Sequence, residues 1–338
     1  MDLALFIIVY TAAIGGFGYI CCTGDPDKPG CVNTMNRVIS RDSIECIRWV
    51  LFKAVGTRGV EAYDSFEEYL CWRANPLLQA FYLVMILGGF WAFIALGLPF
   101  VECSELIPCV PAERAAGVCP FLPSWHRTTA YLAMTVCLAS WVVCCLSDPG
   151  YADETSPLEV YCYEWDGYVH SRKVVVGTDR LLQPARSSFC RLTNKVVLRF
   201  DHYCPWIKNV VGERNYRYFV GFLMLHWLTL GYASWGTALM VLGRLEEEKF
   251  WHRERGLAQI YDPVTAIPRV ITWTEVGRVM LMLENKVMLL CMFCGFLSFV
   301  IFLFWAYHVH LVCCNMTTNE SIKLGRVRKH CVFGSCFS

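Results

Sequence analysis

Four long apolar runs, separated by charged loops, constrain this sequence more than any other feature. A bilayer core about 30 Å thick takes roughly 20 helical residues to cross, and charged side chains are costly inside it. Four segments are long enough and carry no Lys, Arg, Asp or Glu: Pro76–Val101, Thr128–Leu146, Tyr218–Gly243 and Val287–Cys314. They predict an all-α polytopic membrane protein.

A fifth apolar run, Leu3–Cys22, is just long enough to cross the bilayer. It follows Asp2 rather than a basic segment and has no clear small-x-small cleavage motif, which favours a retained span over a cleaved signal peptide. Both interpretations of this run stay open. We expect a four-helix transmembrane core, an extra N-terminal span, and a small irregular cytosolic domain between spans.

The distribution of Lys and Arg predicts the orientation of the spans, because cytosolic loops carry an excess of both. Loop 102–127 has only Arg114 and Arg127, whereas tail 315–338 has four basic residues and loop 147–217 has ten. The ten are Arg172, Lys173, Arg180, Arg186, Arg191, Lys195, Arg199, Lys208, Arg214 and Arg217. This asymmetry predicts that loop 147–217 and the tail are cytosolic. The net charge of only +1 gives no sign of a nucleic-acid partner.

The spans and loops together predict five segments. Residues 1–75 hold the first span and a cytosolic linker, and residues 76–146 hold spans two and three with a short lumenal loop. Residues 147–217 form the cytosolic domain, residues 218–314 hold spans four and five with a lumenal loop, and residues 315–338 form a cytosolic tail.

A possible catalytic group lies in the cytosolic loop at Asp201-His202-Tyr203-Cys204. A cysteine is a strong nucleophile only as the thiolate, and a neighbouring imidazole held by a carboxylate can supply the base that this needs. Since neighbouring side chains on a strand point to opposite faces, we expect a turn, helped by Pro205, to bring the groups together. From these residues alone, metal ligation or ordinary burial of His202 and Cys204 remains open.

The surrounding sequence resembles one family. The run Gln183–Phe219, which includes Pro184-Ala185-Arg186-Ser187, resembles the cysteine-rich domain of DHHC protein S-acyltransferases. Two further family motifs lie in the expected order: Asp148-Pro149-Gly150 before this domain, and Thr317-Thr318-Asn319-Glu320, which matches TTxE, after the last span. The resemblance covers roughly residues 76–325. The extra first span and the Pro184-Ala185-Arg186-Ser187 sequence are similar to those of the subgroup that acylates SNARE-type membrane proteins in yeast.

The resemblance implies an activity and a role for each residue of the site. Cys204 would take a long-chain acyl group, palmitoyl as first choice, from acyl-CoA and pass it to a cysteine of a substrate protein by a ping-pong scheme. His202 would be the base and Asp201 its orienting group. The TTxE residues, the Asp-Pro-Gly motif and an asparagine would support the site: Thr317, Thr318, Glu320, Asp148, Pro149, Gly150 and Asn215.

Partners and location also follow from the resemblance. Basic residues near the site would meet the phosphates of CoA, or are simply solvated charges of a cytosolic loop: Arg186, Lys195, Arg199, Lys208 and Arg214. The expected partners are membrane lipids, acyl-CoA and SNARE-like proteins with cytosolic cysteines. Endoplasmic reticulum or Golgi membranes are the expected location.

The sequence departs from the family at its zinc sites, which need four N, S or O ligands each. One aligned set is Val176, Asp179, Phe189 and Val196, and the other is Cys190, Thr193, Tyr203 and Val210. Only Cys190 keeps the ligand type that the family has. We therefore predict that no zinc binds, and that apolar packing of the replacements takes over its role.

Two other possibilities stay open. A catalytically silent family member would keep the spans and serve as a membrane adaptor or chaperone. Self-acylation is a second open question, at Cys331 and Cys336 in the tail, because cytosolic cysteines beside basic residues near a membrane are common acylation sites.

Overall fold

The computed structural model describes residues 42–69, 73–102, 122–152, 184–252, 256–262 and 265–333. The chain divides into two compact units, residues 1–73 with 248–285 and residues 74–247 with 286–338. The predicted first span, Leu3–Cys22, lies outside the described residues.

In its described residues, the first unit contains three helices and four short strands. Helices α1 (Ser43–Val55) and α2 (Thr57–Glu67) meet at Gly56, whose φ of 76° suits glycine. The strands form two antiparallel hairpins, and the last helix of this unit begins at a capping box. In chain order these are β5 (Trp251–His252), β6 (Gly256–Leu257), β7 (Gln259–Tyr261), β8 (Pro268–Val270) and α6 (Trp273–Leu283).

The described part of the second unit contains five α-helices. They are α3 (Leu77–Leu96), α4 (Trp125–Leu146), α5 (Tyr216–Glu247), α7 (Asn285–Cys313) and α8 (Thr318–Phe333). Of the helices described, α3, α4 and α7 are long and apolar enough to cross a bilayer. They match three of the predicted spans. These helices establish a mostly helical membrane protein.

Helix α5 contains the fourth predicted span, Tyr218–Gly243, without a break. Its length suffices for a crossing. Polar side chains such as His226 and Thr237 make it less apolar than α3, α4 and α7, and it is therefore not among the candidate spans. The span at α5 therefore stays a prediction, and so does the four-helix core.

Helix α4 starts within the stretch that the sequence suggested was a loop. Its Arg127 is buried and donates hydrogen bonds to the carbonyl oxygens of Leu98, Val101 and Glu102, at 2.9, 3.1 and 3.0 Å. These carbonyls follow the end of α3, where a short 3₁₀ turn spans Leu98–Phe100. Arg127 thus satisfies exposed backbone acceptors at a helix end, and it should not be counted as a loop charge.

Two β-hairpins lie between α4 and α5. Strand β1 (Ser188–Cys190) pairs antiparallel with β2 (Lys195–Val197), and β3 (His202–Cys204) pairs antiparallel with β4 (Asn209–Val211). Both connections end on a non-glycine residue of positive φ, Asn194 at 54° and Lys208 at 49°. These hairpins place the candidate site beside the ends of the long helices.

Candidate active site

The β3–β4 hairpin carries the proposed nucleophile and base. His202 and Cys204 are the first and last residues of β3, so their side chains share one face of the strand. Asp201 lies immediately before the strand. The expectation that these groups meet on a turn is wrong. A spacing of two residues brings side chains together on a strand, and the turn that contains Pro205 only closes the hairpin.

Asp201 is buried and accepts hydrogen bonds from two directions. Its Oδ2 lies 2.7 Å from Nδ1 of His202, and its Oδ1 accepts a bond of 2.6 Å from the backbone N–H of Thr318. Burial alone would raise the pKa of this carboxyl, but the bonds with His202 and Thr318 keep the pKa below its usual value. Asp201 therefore stays ionised and fixes the imidazole in position.

His202 lies between the carboxylate and the thiol. Burial alone would lower its pKa, but hydrogen bonds with Asp201 and Cys204 raise the pKa to about 9. The imidazolium form is thus favoured at neutral pH, and a positive ring beside a sulfur stabilises the thiolate. The three groups thus lie in the order carboxylate, imidazole and thiol, and their catalytic roles stay a prediction.

Cys204 is buried among apolar side chains. It packs in a cluster with Trp141 of α4 and with Phe219 and Phe222 of α5, and partly buried residues of α3 and α7 border the same cluster. A nucleophile in such surroundings is accessible to an apolar reactant rather than to bulk water. The cluster joins the hairpin to four long helices.

Asn209 fixes the hairpin to the end of α4, and sequence reasoning missed it. Its side-chain amide donates to the carbonyl oxygens of Cys144 at 3.0 Å and Ser147 at 2.8 Å, and its Oδ1 accepts from the N–H of Val210 at 2.8 Å. Asn209 is also the cross-strand partner of Cys204. One buried amide therefore sets the position of the nucleophile relative to α4. No local pattern in the sequence marks this role.

The TTxE motif forms the start of α8 and holds Asp201 through its backbone. Thr317 Oγ1 accepts from the N–H of Glu320 at 3.2 Å, and a Glu320 carboxylate oxygen accepts from the N–H of Thr317 at 2.9 Å. This reciprocal pair is a capping box. This capping box fixes the first turn of α8. The N–H of Thr318, which has no acceptor within the helix, therefore donates to Asp201. The supporting role of Thr317, Thr318 and Glu320 in catalysis stays a prediction.

A proline substitution tests this backbone contact. Thr318→Pro removes the N–H while keeping a residue that the first helical position tolerates. We expect acylation of Cys204 to slow by roughly 10–100-fold, because a buried carboxylate loses one of two donors. Thr318→Ala is the control, since it keeps the N–H and removes a hydroxyl that has no partner among the described residues. Equal rates for the two variants in a single-turnover assay would contradict the backbone role.

Arg186 differs from the other proposed CoA contacts. Its guanidinium is buried and forms two bonds with Glu320, of 2.6 and 2.7 Å, and one of 2.7 Å with the carbonyl oxygen of Asn315. These bonds leave it tied to the start of α8 rather than directed at a phosphate in solution. Arg186 is thus a structural link between the β-hairpins and the TTxE motif.

The other four basic candidates lie on the surface of the domain. Lys208 is exposed, Lys195 lies over the Tyr151 ring at 4.5 Å, and Arg199 bonds the Asn315 side chain at 2.9 Å. Arg214 pairs with Asp148 at 2.6 Å. All four remain placed for contact with a soluble anion, and this role stays a prediction.

The Asp-Pro-Gly motif attaches the hairpins to the segment after α4. The carbonyl oxygen of Gly150 accepts from Leu198 N–H at 2.9 Å, and Asp148 Oδ1 accepts from Gly150 N–H at 2.9 Å. Gly212 approaches this motif so closely that a Cβ would lie 2.6 Å from the Pro149 carbonyl oxygen. These contacts fix the position of the hairpins relative to the segment that follows α4.

Asn215 closes the connection between β4 and α5. It is buried, with its Oδ1 accepting from Gly212 N–H and its amide donating to the Val210 carbonyl oxygen, both at 2.8 Å. Its predicted supporting role agrees with these contacts.

Four of the six described positions that align with zinc ligands pair with one another across the hairpins. Phe189 faces Val196 in the first, and Tyr203 faces Val210 in the second. Cys190 and Val210 share a buried apolar cluster with Val197, against which Tyr203 packs. Val176 and Asp179 lie outside the described residues. Valine and phenylalanine side chains cannot ligate zinc, so the described side chains do not supply the ligand sets of the family's zinc sites, and the absence of zinc stays a prediction.

Comparison with known proteins gives the same class as the site. Residues 170–325 match the family model described as DHHC palmitoyltransferase. Residues 170–325 are therefore similar to the DHHC palmitoyltransferase domain. This match confirms the resemblance that the motifs indicated.

Three similar curated proteins are named palmitoyltransferases. Palmitoyltransferase SWF1 of Yarrowia lipolytica is 32% identical over 216 residues, covering 62% of this chain and 52% of that protein. Palmitoyltransferase ZDHHC4 of Bos taurus is 28% identical, covering 60% and 57%, and ZDHHC14 of Danio rerio is 28% identical, covering 72% and 48%. The chain thus spans about half the length of the curated relatives that it matches.

Proposed function

We propose that this protein is a protein S-acyltransferase that carries a long-chain acyl group, palmitoyl as first choice, as a thioester on Cys204. One observation carries the proposal: the buried carboxylate of Asp201 holds the imidazole of His202 beside the thiol of Cys204. The names of the similar curated proteins support the same activity.

The first half-reaction forms the acyl-enzyme. The Cys204 thiolate, with its proton on His202, attacks the carbonyl carbon of the acyl-CoA thioester. The carbon–sulfur bond to CoA then breaks, and CoA leaves as a thiol with the proton from the His202 imidazolium. Asp201 stays ionised throughout and stabilises the imidazolium.

The second half-reaction reverses the first with another thiol. A cysteine of a substrate protein gives its proton to His202 and attacks the acyl carbon on Cys204. The bond to Cys204 breaks, and the enzyme returns to its imidazolium–thiolate pair. Because one product leaves before the second substrate reacts, the scheme is ping-pong.

The proposed substrates are membrane-anchored proteins with cysteines close to the cytosolic face, of the SNARE type. Two observations support this choice: the nucleophile lies beside the ends of candidate membrane helices, and palmitoyltransferase SWF1 is among the similar proteins. A thiol held near the bilayer surface would reach Cys204 without its carrier leaving the membrane.

The proposed topology has five spans, with the hairpins and the tail in the cytosol and the protein in endoplasmic reticulum or Golgi membranes. The C-terminal end of α4 contacts Asn209, and the residues just after α7 contact Asp201. Both helix ends therefore belong on one side of the bilayer, as the proposed order of spans requires. The basic surface residues of the hairpins favour the cytosolic side.

The CoA moiety would meet the exposed cations of this domain. Lys195, Arg199, Lys208 and Arg214 offer positive charge on the hairpins, and phosphate groups bind such side chains readily. We propose these four as the phosphate contacts. Arg186 is left out because its guanidinium is already bonded to Glu320.

The hairpins are proposed to fold without zinc. Val210, at a position aligned with a zinc ligand, packs with Cys190 and Val197 in a buried apolar cluster, and each well-buried side chain contributes roughly 1.5–3 kcal/mol. We expect purified protein to contain no stoichiometric zinc and to keep its melting temperature when a strong chelator is added. Two zinc ions per chain, with melting lowered by the chelator, would contradict this expectation.

The proposed activity is tested by labelling. Purified protein in detergent should take up label from palmitoyl-CoA as a hydroxylamine-labile adduct, and Cys204→Ser should take up none. A matched control is Cys190→Ser, since Cys190 lies in the neighbouring hairpin. Robust labelling of the Cys204→Ser variant would defeat the assignment. Absence of labelling in the native protein would instead favour a catalytically silent membrane adaptor.

A further inference from the structure

Helices α1 and α2 form a helical hairpin that the proposed mechanism does not use. The two helices approach closely at Gly59, where a Cβ would lie 3.0 Å from the Cβ of Val55. Arg48 of α1 also pairs with two carboxylates of α2, Asp64 at 2.8 Å and Glu67 at 3.5 Å. One face of each helix is therefore occupied by the other helix, and the remaining faces point away from this contact.

The two helices differ in the apolar surface that they expose. Among large apolar side chains, α2 exposes one, Phe66. Helix α1 exposes five: Ile47, Trp49, Val50, Phe52 and Val55. Soluble proteins rarely leave contiguous apolar patches open to water, and larger patches mark sites of interaction with a protein or a membrane. The outward surface of α1 therefore requires a partner.

Part of this surface is an apolar strip along one side of α1. The strip consists of Cys46, Ile47, Val50 and Ala54, which are all exposed and follow the spacing of one helix face. Trp49, which is 61% exposed, and Lys53 lie at its edge, with the Lys53 ammonium 5.9 Å from the centroid of the Trp49 ring. An apolar strip flanked by an aromatic ring and a long cationic side chain is typical of helices that lie in a membrane surface.

The covalent chain keeps α1 close to a bilayer. Helix α2 ends at Glu67, and α3, a candidate membrane span, begins at Leu77. A connection of about ten residues spans at most roughly 35 Å. The hairpin is therefore tethered within that distance of the point where α3 enters the bilayer, and a lipid surface is always within reach of the strip.

The charges of the hairpin indicate which kind of lipid surface fits. Acidic residues outnumber basic ones between residues 42 and 69, and the guanidinium of Arg48 is already paired with Asp64. Attraction to anionic headgroups therefore does not drive the contact. Burial of the apolar strip does, and this driving force requires no charged lipid.

We propose that α1 lies in the headgroup region of the bilayer, on the side from which the chain enters α3, with the strip facing the acyl chains. Its partner is a zwitterionic phospholipid surface, such as phosphatidylcholine. The inference goes beyond the proposed acyltransferase function and uses none of the active-site residues.

Photochemical cross-linking of the full chain tests this contact. The protein is placed in phosphatidylcholine nanodiscs that contain a phospholipid with a diazirine near the top of its acyl chain, irradiated, digested and mapped by mass spectrometry. We expect adducts on the strip, in a yield that does not fall when salt is raised, and adducts on α3 that report correct insertion. Labelled α3 with α1 at background would overturn the proposal, as would α1 adducts that appear only when phosphatidylserine is added.

A matched pair of variants separates the strip from the rest of the hairpin. Val50→Glu puts a carboxylate in the strip, and Ser65→Glu adds the same charge at an exposed position of α2. Because a charge is costly to bury in lipid, we expect strip adducts to fall by about tenfold or more in Val50→Glu. Ser65→Glu should keep the native yield, and α3 adducts should be equal in both. Equal strip yields in the two variants would overturn the proposal.

The thiol of Cys46 provides a second measurement, independent of the lipid probe. Cys46 is a free, exposed cysteine within the strip, so the bilayer should shield it from a charged, water-soluble maleimide. In nanodiscs we expect Cys46 of the native protein and of Ser65→Glu to react about tenfold more slowly than Cys46 of Val50→Glu. A native rate equal to that of Val50→Glu would show that the strip faces water and would overturn the proposal.

Discussion

Asp201→Asn is expected to slow thioester formation on Cys204 by roughly 10²–10⁴-fold while leaving the protein folded. Asp201 accepts from the His202 ring and from Thr318 N–H, through its two oxygens. An asparagine has one acceptor oxygen and one NH₂ group. In the variant, either the His202 ring or the Thr318 N–H therefore faces the NH₂ group instead of an acceptor. Loss of the first contact frees the orientation of the imidazole, and loss of the second removes the contact with α8.

The pH dependence of this variant should change as well. Hydrogen bonding with Asp201 and Cys204 raises the pKa of His202 to about 9 against the effect of burial. Acylation in the native protein should thus fall as pH rises through about 9, where the imidazolium that protonates the leaving CoA is lost. In Asp201→Asn the carboxylate no longer raises the pKa of His202, so the falling limb should move to lower pH.

The matched control for Asp201→Asn is Glu213→Gln, which removes an exposed carboxylate from the same domain. It should keep the native rate and the native pH profile. The measurement is single-turnover release of CoA across a range of pH. A native-like rate in Asp201→Asn, or a falling limb that stays in place, would show that the carboxylate does not act through His202.

The second large effect is expected from Arg186→Met. It leaves Glu320 buried, with the loss of two bonds of 2.6 and 2.7 Å. Removing one partner of a buried ion pair typically costs about 3–5 kcal/mol, because an uncompensated charge remains. We expect that loss in the free energy of unfolding, together with slower acylation, since Glu320 also fixes the turn that presents Thr318 N–H to Asp201.

Arg199→Met is the control for this experiment. Arg199, like Arg186, donates to Asn315, but its hydrogen bond with the Asn315 side chain is exposed. Exposed polar contacts typically contribute under about 1 kcal/mol. Denaturant unfolding in detergent, followed by tryptophan fluorescence, compares the two variants. Equal stability for Arg186→Met and Arg199→Met would show that the buried pair does not hold the motif in place.

Local features of the sequence were enough to predict much of this molecule. The apolar runs predicted α3, α4 and α7, because span length and absence of charge are properties of one continuous segment. The roles of Asp201, His202 and Cys204 came from the family resemblance of the surrounding sequence, and they stay a prediction. The turn expected there is wrong: His202–Cys204 is a strand, on which side chains two residues apart share a face.

Contacts between distant parts of the chain were beyond reach of the sequence. Arg186 was assigned to CoA because its charge lies in a basic loop, yet its partner Glu320 is 134 positions away. Asn209 donates to the carbonyl oxygen of Cys144, which is 65 positions away. Such residues carry no periodicity or spacing signal, and only their burial with paired polar atoms identifies them.

Some predictions lie outside what these residues decide. Cys331 falls within α8 and Cys336 lies outside the described residues, so acylation of the tail stays a prediction. The orientation of the spans and the choice of membrane also stay predictions. Each depends on charge distribution across a bilayer rather than on a contact within the chain.

Mass mapping of the acyl-enzyme after a single turnover tests the central claim most directly. Native protein is mixed with a stoichiometric amount of palmitoyl-CoA without any acceptor, quenched in acid and digested. The account predicts one equivalent of free CoA, one acyl group on the peptide that contains Cys204, and transfer of that group when a cysteine peptide is added before the quench. Acyl transfer to the peptide with no acyl group ever found on Cys204 would contradict it.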